Sequence, residues 1–196
     1  MYVKEKFPAN SALGEIVEHP KNKKIRLGYF SGDFCEHPVS YLTAELFEMH
    51  DRSSFEIYAF SFKPAAASDL MRPRLIHAFD HFIDVSSISD VGVAKCAREL
   101  GIDIAIDLSG LTEDSRVGIF SHRAAPIQVN YIGYPGTSGA DFMDYIIADS
   151  VVIPEISREL YTEKVAYLPD TYMVDDSSRT PSQKAFNRRE FGLPEK

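Results

Sequence analysis

Three short stretches of this 196-residue sequence gather the residue types that handle a polar, hydroxyl-rich ligand. They are Ser31-Gly-Asp-Phe-Cys-Glu-His37, Ser109-Gly-Leu-Thr-Glu-Asp114 and Gly133-Tyr-Pro-Gly-Thr-Ser-Gly139. Each follows an apolar run. Together they hold small, hydroxyl and acidic residues with one histidine and one tyrosine, a set that suits a sugar.

His37 is the residue best suited to move a proton. It stands where a helix N-cap belongs, and Pro38 fits the first helical position because its missing N–H is no loss there. The positive helix end disfavours imidazolium. A neutral ring can accept a proton, as a general base must. The plainer reading is a cap or a turn, and Glu18-His19-Pro20 repeats the His-Pro pair in a polar stretch. Gly133, Gly136 and Gly139 let N–H groups approach a ligand, or simply make a tight connection. Thr112 could bond a sugar hydroxyl or cap the next helix. Asp33 and Asp107 are candidate carboxylates, or residues that tie down loops.

The positioning elements read as follows. Apolar runs predict strands over 25–30, 55–60, 82–85, 102–108, 127–132, 145–148 and 165–168. Helical spacing follows Pro38, spans 68–79 with Pro73 interrupting it, and covers 93–100 before Gly101. A short helix is expected over 116–122. Strands alternating with helices predict an α/β, Rossmann-like fold with a mostly parallel sheet and helices on both faces. Ligands bind outside the carboxyl ends of such strands, where the three loops lie. Residues 1–23 read as a leader or linker outside the core, 24–174 as the lobe and 175–196 as a polar linker.

Composition excludes several classes. The chain is 44% hydrophobic and 26% charged, which is globular. Lys and Arg total 21 against 29 Asp and Glu, a formal charge of −8, which argues against nucleic acid and anionic membranes. Cys35 and Cys96 form no metal or disulfide pattern, so free thiols in a cytoplasmic setting are expected. No stretch reads as a membrane span or secretory leader. No Walker, dinucleotide, nucleophile-elbow or zinc motif occurs, so no metal and no bound cofactor is expected.

Longer motifs then add a resemblance. Arg26-Leu-Gly-Tyr-Phe-Ser-Gly-Asp-Phe-Cys-Glu-His-Pro38 resembles the start of the catalytic region of O-linked N-acetylglucosamine transferases. Arg123-Ala-Ala-Pro-Ile-Gln128, the Gly133–Gly139 loop and Phe142-Met-Asp-Tyr-Ile-Ile-Ala-Asp149 are similar to further motifs of that family, which the plant SPINDLY proteins and bacterial homologues share. The resemblance covers residues 24–174. It implies the amino-terminal lobe of a two-lobed, GT-B type glycosyltransferase. It maps the family's active-site histidine onto His37, and the sugar pocket onto Thr112, Ile132, Gly133, Tyr134, Pro135 and Thr137. It implies a nucleotide-sugar donor such as UDP-N-acetylglucosamine, a protein Ser/Thr acceptor and a carboxyl-terminal lobe that holds the nucleotide and an essential lysine. The isolated chain is then expected to be inactive. Ser109 and Leu111 stand where the family carries an asparagine and an aromatic, and this leaves N-acetylglucosamine, fucose and glucose open as donor sugars. A non-catalytic sugar- or protein-binding module is the alternative.

Overall fold

The apolar run Ile25–Ser31 forms a strand (β1) buried along most of its length, as a strand covered on both faces must be. In the computed structural model, which describes residues 2–16, 23–64 and 66–194, six further strands join it. They are β2 (Phe55–Ser61), β3 (His81–Asp84), β4 (Ile104–Asp107), β5 (Ile127–Asn130), β6 (Tyr145–Ala148) and β7 (Lys164–Tyr167). The sheet order is β3-β2-β1-β4-β5-β6-β7, and every neighbouring pair is parallel. The α/β, Rossmann-like architecture expected from the alternation is therefore the one observed.

Helices cover both faces. On one face, α2 (Pro38–Glu48) and α3 (Arg72–Ala78) bury Ala44, Phe47, Leu75 and Ala78 against Leu27, Tyr29, Ile57 and Ala59. On the other, α4 (Asp90–Glu99) and α5 (Val117–Ser121) bury Val93, Ala97, Ile119 and Phe120 against Phe30 and Phe60. The Phe30 and Phe60 rings stack with centroids 4.3 Å apart, on neighbouring strands at one register position.

Three details differ from the sequence expectation. The helix expected over 68–79 begins only at Arg72, because Pro73 serves its first turn instead of interrupting it. The strand expected over 127–132 ends at Asn130, because Ile132 turns into the left-handed region. The leader is partly docked: a short helix, α1 (Tyr2–Lys6), places Val3 in the core at 2% exposure. The His19-Pro20 pair lies outside the described residues. From 175 onward the chain is mostly exposed, but Asp176 is buried against Arg74 of α3, and Ser177 bonds Glu45 of α2.

Candidate functional site

The sheet reverses its winding between β1 and β4. β2 and β3 extend from one side of β1, while β4 to β7 extend from the other. A crevice opens at the carboxyl ends of the strands at such a switch point. The loop leaving β1 carries Asp33 and His37, and the loop leaving β4 carries Thr112. The loop leaving β5 carries Ile132 to Thr137 and lies beside them.

The loops touch in strand order. A Cβ on Gly32 would lie 3.4 Å from Lys63 Cε and 3.7 Å from Asp114 Cβ, and Lys63 is ion-paired with Asp114. A Cβ on Gly133 would fall 2.0 Å from the Leu108 carbonyl oxygen, so only glycine permits this approach of the β5 loop to the β4 loop. Tyr134 is wedged between Gly110 and Gly136, each of whose Cβ atoms would come within 2.7 Å of it. Ile132 has φ 66°, an outlier for a β-branched residue. Such strain is of order 1–3 kcal/mol and gathers at ligand sites.

His37 caps α2. Its Nδ1 accepts the Val39 N–H at 3.3 Å and lies 3.7 Å from Asp33 Oδ2. The ring is 41% exposed while Asp33 is only 13% exposed, so the histidine reaches solvent at this edge of the sheet and the carboxylate beside it is largely covered. Acceptance at Nδ1 assigns the proton of the neutral ring to Nε2. The ring thus presents a donor outward. Cap and exposed polar group are here the same residue.

The remaining predicted residues divide by what their polar atoms do. The Thr112 hydroxyl donates to the Ser109 carbonyl at 2.9 Å; it caps no helix, and the N-cap of α5 is Arg116, which makes no side-chain cap bond. The Pro135 carbonyl accepts from the Tyr161 hydroxyl at 3.0 Å. The Thr137 hydroxyl donates to Glu163 at 2.7 Å. Asp107 is buried and accepts the Ser109 N–H at 2.9 Å, so it does tie down the β4 loop. Burial pushes the Cys35 thiol up, which keeps it protonated and a poor nucleophile. Among the described residues no group of three or more His, Cys, Asp or Glu side chains could hold a metal ion.

A pocket of about 270 Å³ opens at this edge between Gly32, Glu36, Lys63, Asp69 and Arg72. A larger cavity of about 460 Å³ lies at the opposite edge, under residues 9–16 and beside Arg98, Arg123 and Phe142. The loop residues, not the larger volume, mark the candidate site, because the switch point and the strained Ile132 lie there.

The profile of glycosyl transferase family 41 matches residues 11–185, nearly the whole described chain. The chain belongs to glycosyl transferase family 41. A probable UDP-N-acetylglucosamine–peptide N-acetylglucosaminyltransferase of Arabidopsis thaliana, named SEC, is 38% identical over 179 residues, covering 88% of this chain and 18% of that protein. The UDP-N-acetylglucosamine–peptide N-acetylglucosaminyltransferase of Caenorhabditis elegans is 42% identical over 159 residues, covering 80% of this chain and 14% of its own length. A solved mutant of the Thermobaculum terrenum O-GlcNAc transferase superposes with a TM-score of 0.73 at 36% identity, over 77% of this chain and 29% of that one. The family 41 chain described here thus spans less than a fifth of the curated relatives it matches.

Sequence reasoning missed one buried residue beside this candidate site. Glu163 lies in a polar Thr-Glu-Lys stretch before β7, and nothing in that spacing marks a buried acid.

Proposed function

We propose that this chain forms one wall of the catalytic cleft of a protein glycosyltransferase. The enzyme moves N-acetylglucosamine from UDP-N-acetylglucosamine to a protein Ser or Thr hydroxyl. The observation that carries this reading is the meeting of the β1, β4 and β5 loops at the switch point, with His37, Thr112 and the strained Ile132 on them. The names of the family 41 relatives supply the donor and the acceptor class.

In this reaction the acceptor hydroxyl oxygen bonds to the anomeric carbon. The bond from that carbon to the diphosphate oxygen breaks, UDP departs, and the hydroxyl proton is released. The Nε2–H of His37 orients or polarises a cleft oxygen. Ile132, Gly133, Tyr134 and Pro135 bring backbone against the sugar. Thr137 holds their loop, and Thr112 lines the facing one. Rate enhancement comes from positioning and from fixed dipoles. A carboxyl-terminal lobe, supplied by the rest of the polypeptide, holds the nucleotide with a lysine. The reading invokes neither metal nor cofactor, and no nucleic acid or membrane. The free thiols of Cys35 and Cys96 suit a cytoplasmic setting. Among the described residues no helix is long and apolar enough to cross a membrane.

The test is transfer of sugar from UDP-N-acetylglucosamine to acceptor peptides, read by mass spectrometry. The full-length protein should glycosylate Ser or Thr, and the 196-residue chain alone should not. Sugar binding without transfer by the full-length protein would support a non-catalytic module instead. Transfer by the isolated chain would remove the need for a second lobe.

A further inference from the structure

Glu163 is 4% exposed, and the groups that meet its carboxylate are uncharged donors. Oε1 accepts from the Ser138 N–H at 2.8 Å, from the Ser138 hydroxyl, and from Asn130 Nδ2 at 3.3 Å. Oε2 accepts from the Thr137 hydroxyl at 2.7 Å and the Thr162 hydroxyl at 3.1 Å. The Thr137 oxygen in turn accepts the N–H groups of Gly139 at 3.1 Å and Thr162 at 3.3 Å. Five donors on two oxygens demand an acceptor-only group, which an ionised carboxyl is and an amide is not. A buried acid is usually paired, and among the described residues these uncharged donors are what pair this one.

What it fixes is the far half of the β5 loop. The near half is held by Gly133 against the Leu108 carbonyl and by Tyr134 between two glycines. A seven-residue stretch with three glycines has wide conformational freedom. Without Glu163 this half of the loop would keep the Tyr161–Pro135 bond and the contacts of Thr137 with Thr162, and Ser138 would lose both of its bonds to the carboxylate.

We propose that Glu163 is a positioning residue: it sets the Gly133–Gly139 loop in the one conformation that receives the donor sugar. Its carboxylate lies beneath the loop and reaches the sugar only through it. What the loop holds rests on the glycosyltransferase reading above; that Glu163 orders the loop does not.

Two measurements test this. The first is amide hydrogen exchange on the 196-residue chain. Glu163→Gln keeps Oε1 for Ser138 and Asn130 but turns an NH2 toward two hydroxyls. Exchange over 133–139 should accelerate about tenfold, with β1 and β4 amides unchanged. Glu163→Ala should accelerate it more, and Glu155→Ala, an exposed acid on the next segment, should not. Unchanged loop exchange in Glu163→Gln overturns the proposal, as does equal acceleration in β1 and β4, which would make the residue a general staple of the sheet. The second is kinetics of the full-length protein with UDP-N-acetylglucosamine. A misplaced loop should raise KM about tenfold and lower kcat by less, with Gln milder than Ala. A fall in kcat at unchanged KM overturns the donor-side role. If the wild-type full-length protein transfers no sugar, the functional reading fails while the exchange result still decides whether Glu163 orders the loop.

Discussion

Asp107 and Asn130 hold matching register positions on the adjacent parallel strands β4 and β5, so their side chains rise from the same face of the sheet. Both are buried. Among the described residues Asn130 Oδ1 has no hydrogen-bond partner. Burial pushes Asp107 up to about 6, while the backbone N–H groups of Ser109 and Gly110 pull it the other way. A protonated Asp107 carries an O–H on the face where Asn130 lacks a donor. Burial accounts for the retentive carboxyl, and the register sets Asn130 beside it on the same face.

Stability should follow from this with a definite sign. The folded value lies above the ordinary 3.8, so the folded chain binds the proton more tightly. The contribution is fully present below about pH 4 and is lost as pH rises through about 6. Asp107→Asn keeps an acceptor for the Ser109 N–H and offers Asn130 a donor at every pH. It should therefore gain on wild type above pH 7, by on the order of 2 kcal/mol, and gain little at pH 4. Melting temperatures from pH 4 to 8 check this. A difference that stays constant across the range would be incompatible with it.

The β5 loop makes two glycines unequal. Gly133→Ala would drive a Cβ into the Leu108 backbone, which cannot swing aside. It should cost about 1–3 kcal/mol and separate the β4 and β5 loops. Gly139 has φ 67° but open space around it, so Gly139→Ala meets only backbone strain, about 1 kcal/mol. Denaturant midpoints rank the two. Equal losses would mean that the loops do not meet as described.

Much of the fold was legible because parallel strands announce themselves as apolar runs, and all seven runs became strands. Pro38 marked the start of α2 for the reason that governs helix N-termini. The site was legible only to the level of loops. That Ile132 would turn left-handed is not a propensity; it accompanies a tight turn in which the Gly133 N–H donates to the Tyr131 carbonyl at 2.9 Å and the close approach of Gly133 to Leu108. Val3 was missed because a five-residue helix has too little periodicity to show a buried face. Glu163 was missed because four of its five donors come from residues 130–138, far from it in sequence, and an isolated Glu between Thr and Lys reads as surface.

Arg98 ties residues 13–14 to the body of the fold, alongside the Asn10 N–H bond to the Ser121 carbonyl at 2.8 Å. Its guanidinium donates to the carbonyls of Leu13 at 3.1 Å and Gly14 at 2.9 Å on one side. On the other it donates to His122 at 2.8 Å and Arg123 at 2.7 Å. Arg98→Ala should expose residues 9–16 to limited proteolysis while leaving the sheet intact. Arg98→Lys should not restore protection, because one ammonium cannot span both sets of carbonyls. Cleavage sites mapped by mass spectrometry decide it, and a wild-type pattern in Arg98→Ala would sink the tether.

Substitution can separate the cap that His37 makes from the orienting role proposed for it. Its Nδ1 accepts the Val39 N–H and caps α2, while the rest of the ring is partly exposed. His37→Ala should lose the cap, about 1 kcal/mol of stability. His37→Asn replaces the ring with a strong capping side chain and should recover most of that loss. Transfer in the full-length protein should stay low in both, because asparagine does not reach where the imidazole Nε2 stands. The discriminating observation is therefore the Asn variant, with stability restored and kcat/KM still depressed. If Asn restores transfer along with stability, His37 is a cap alone, and the orienting role must pass to another residue of the crevice.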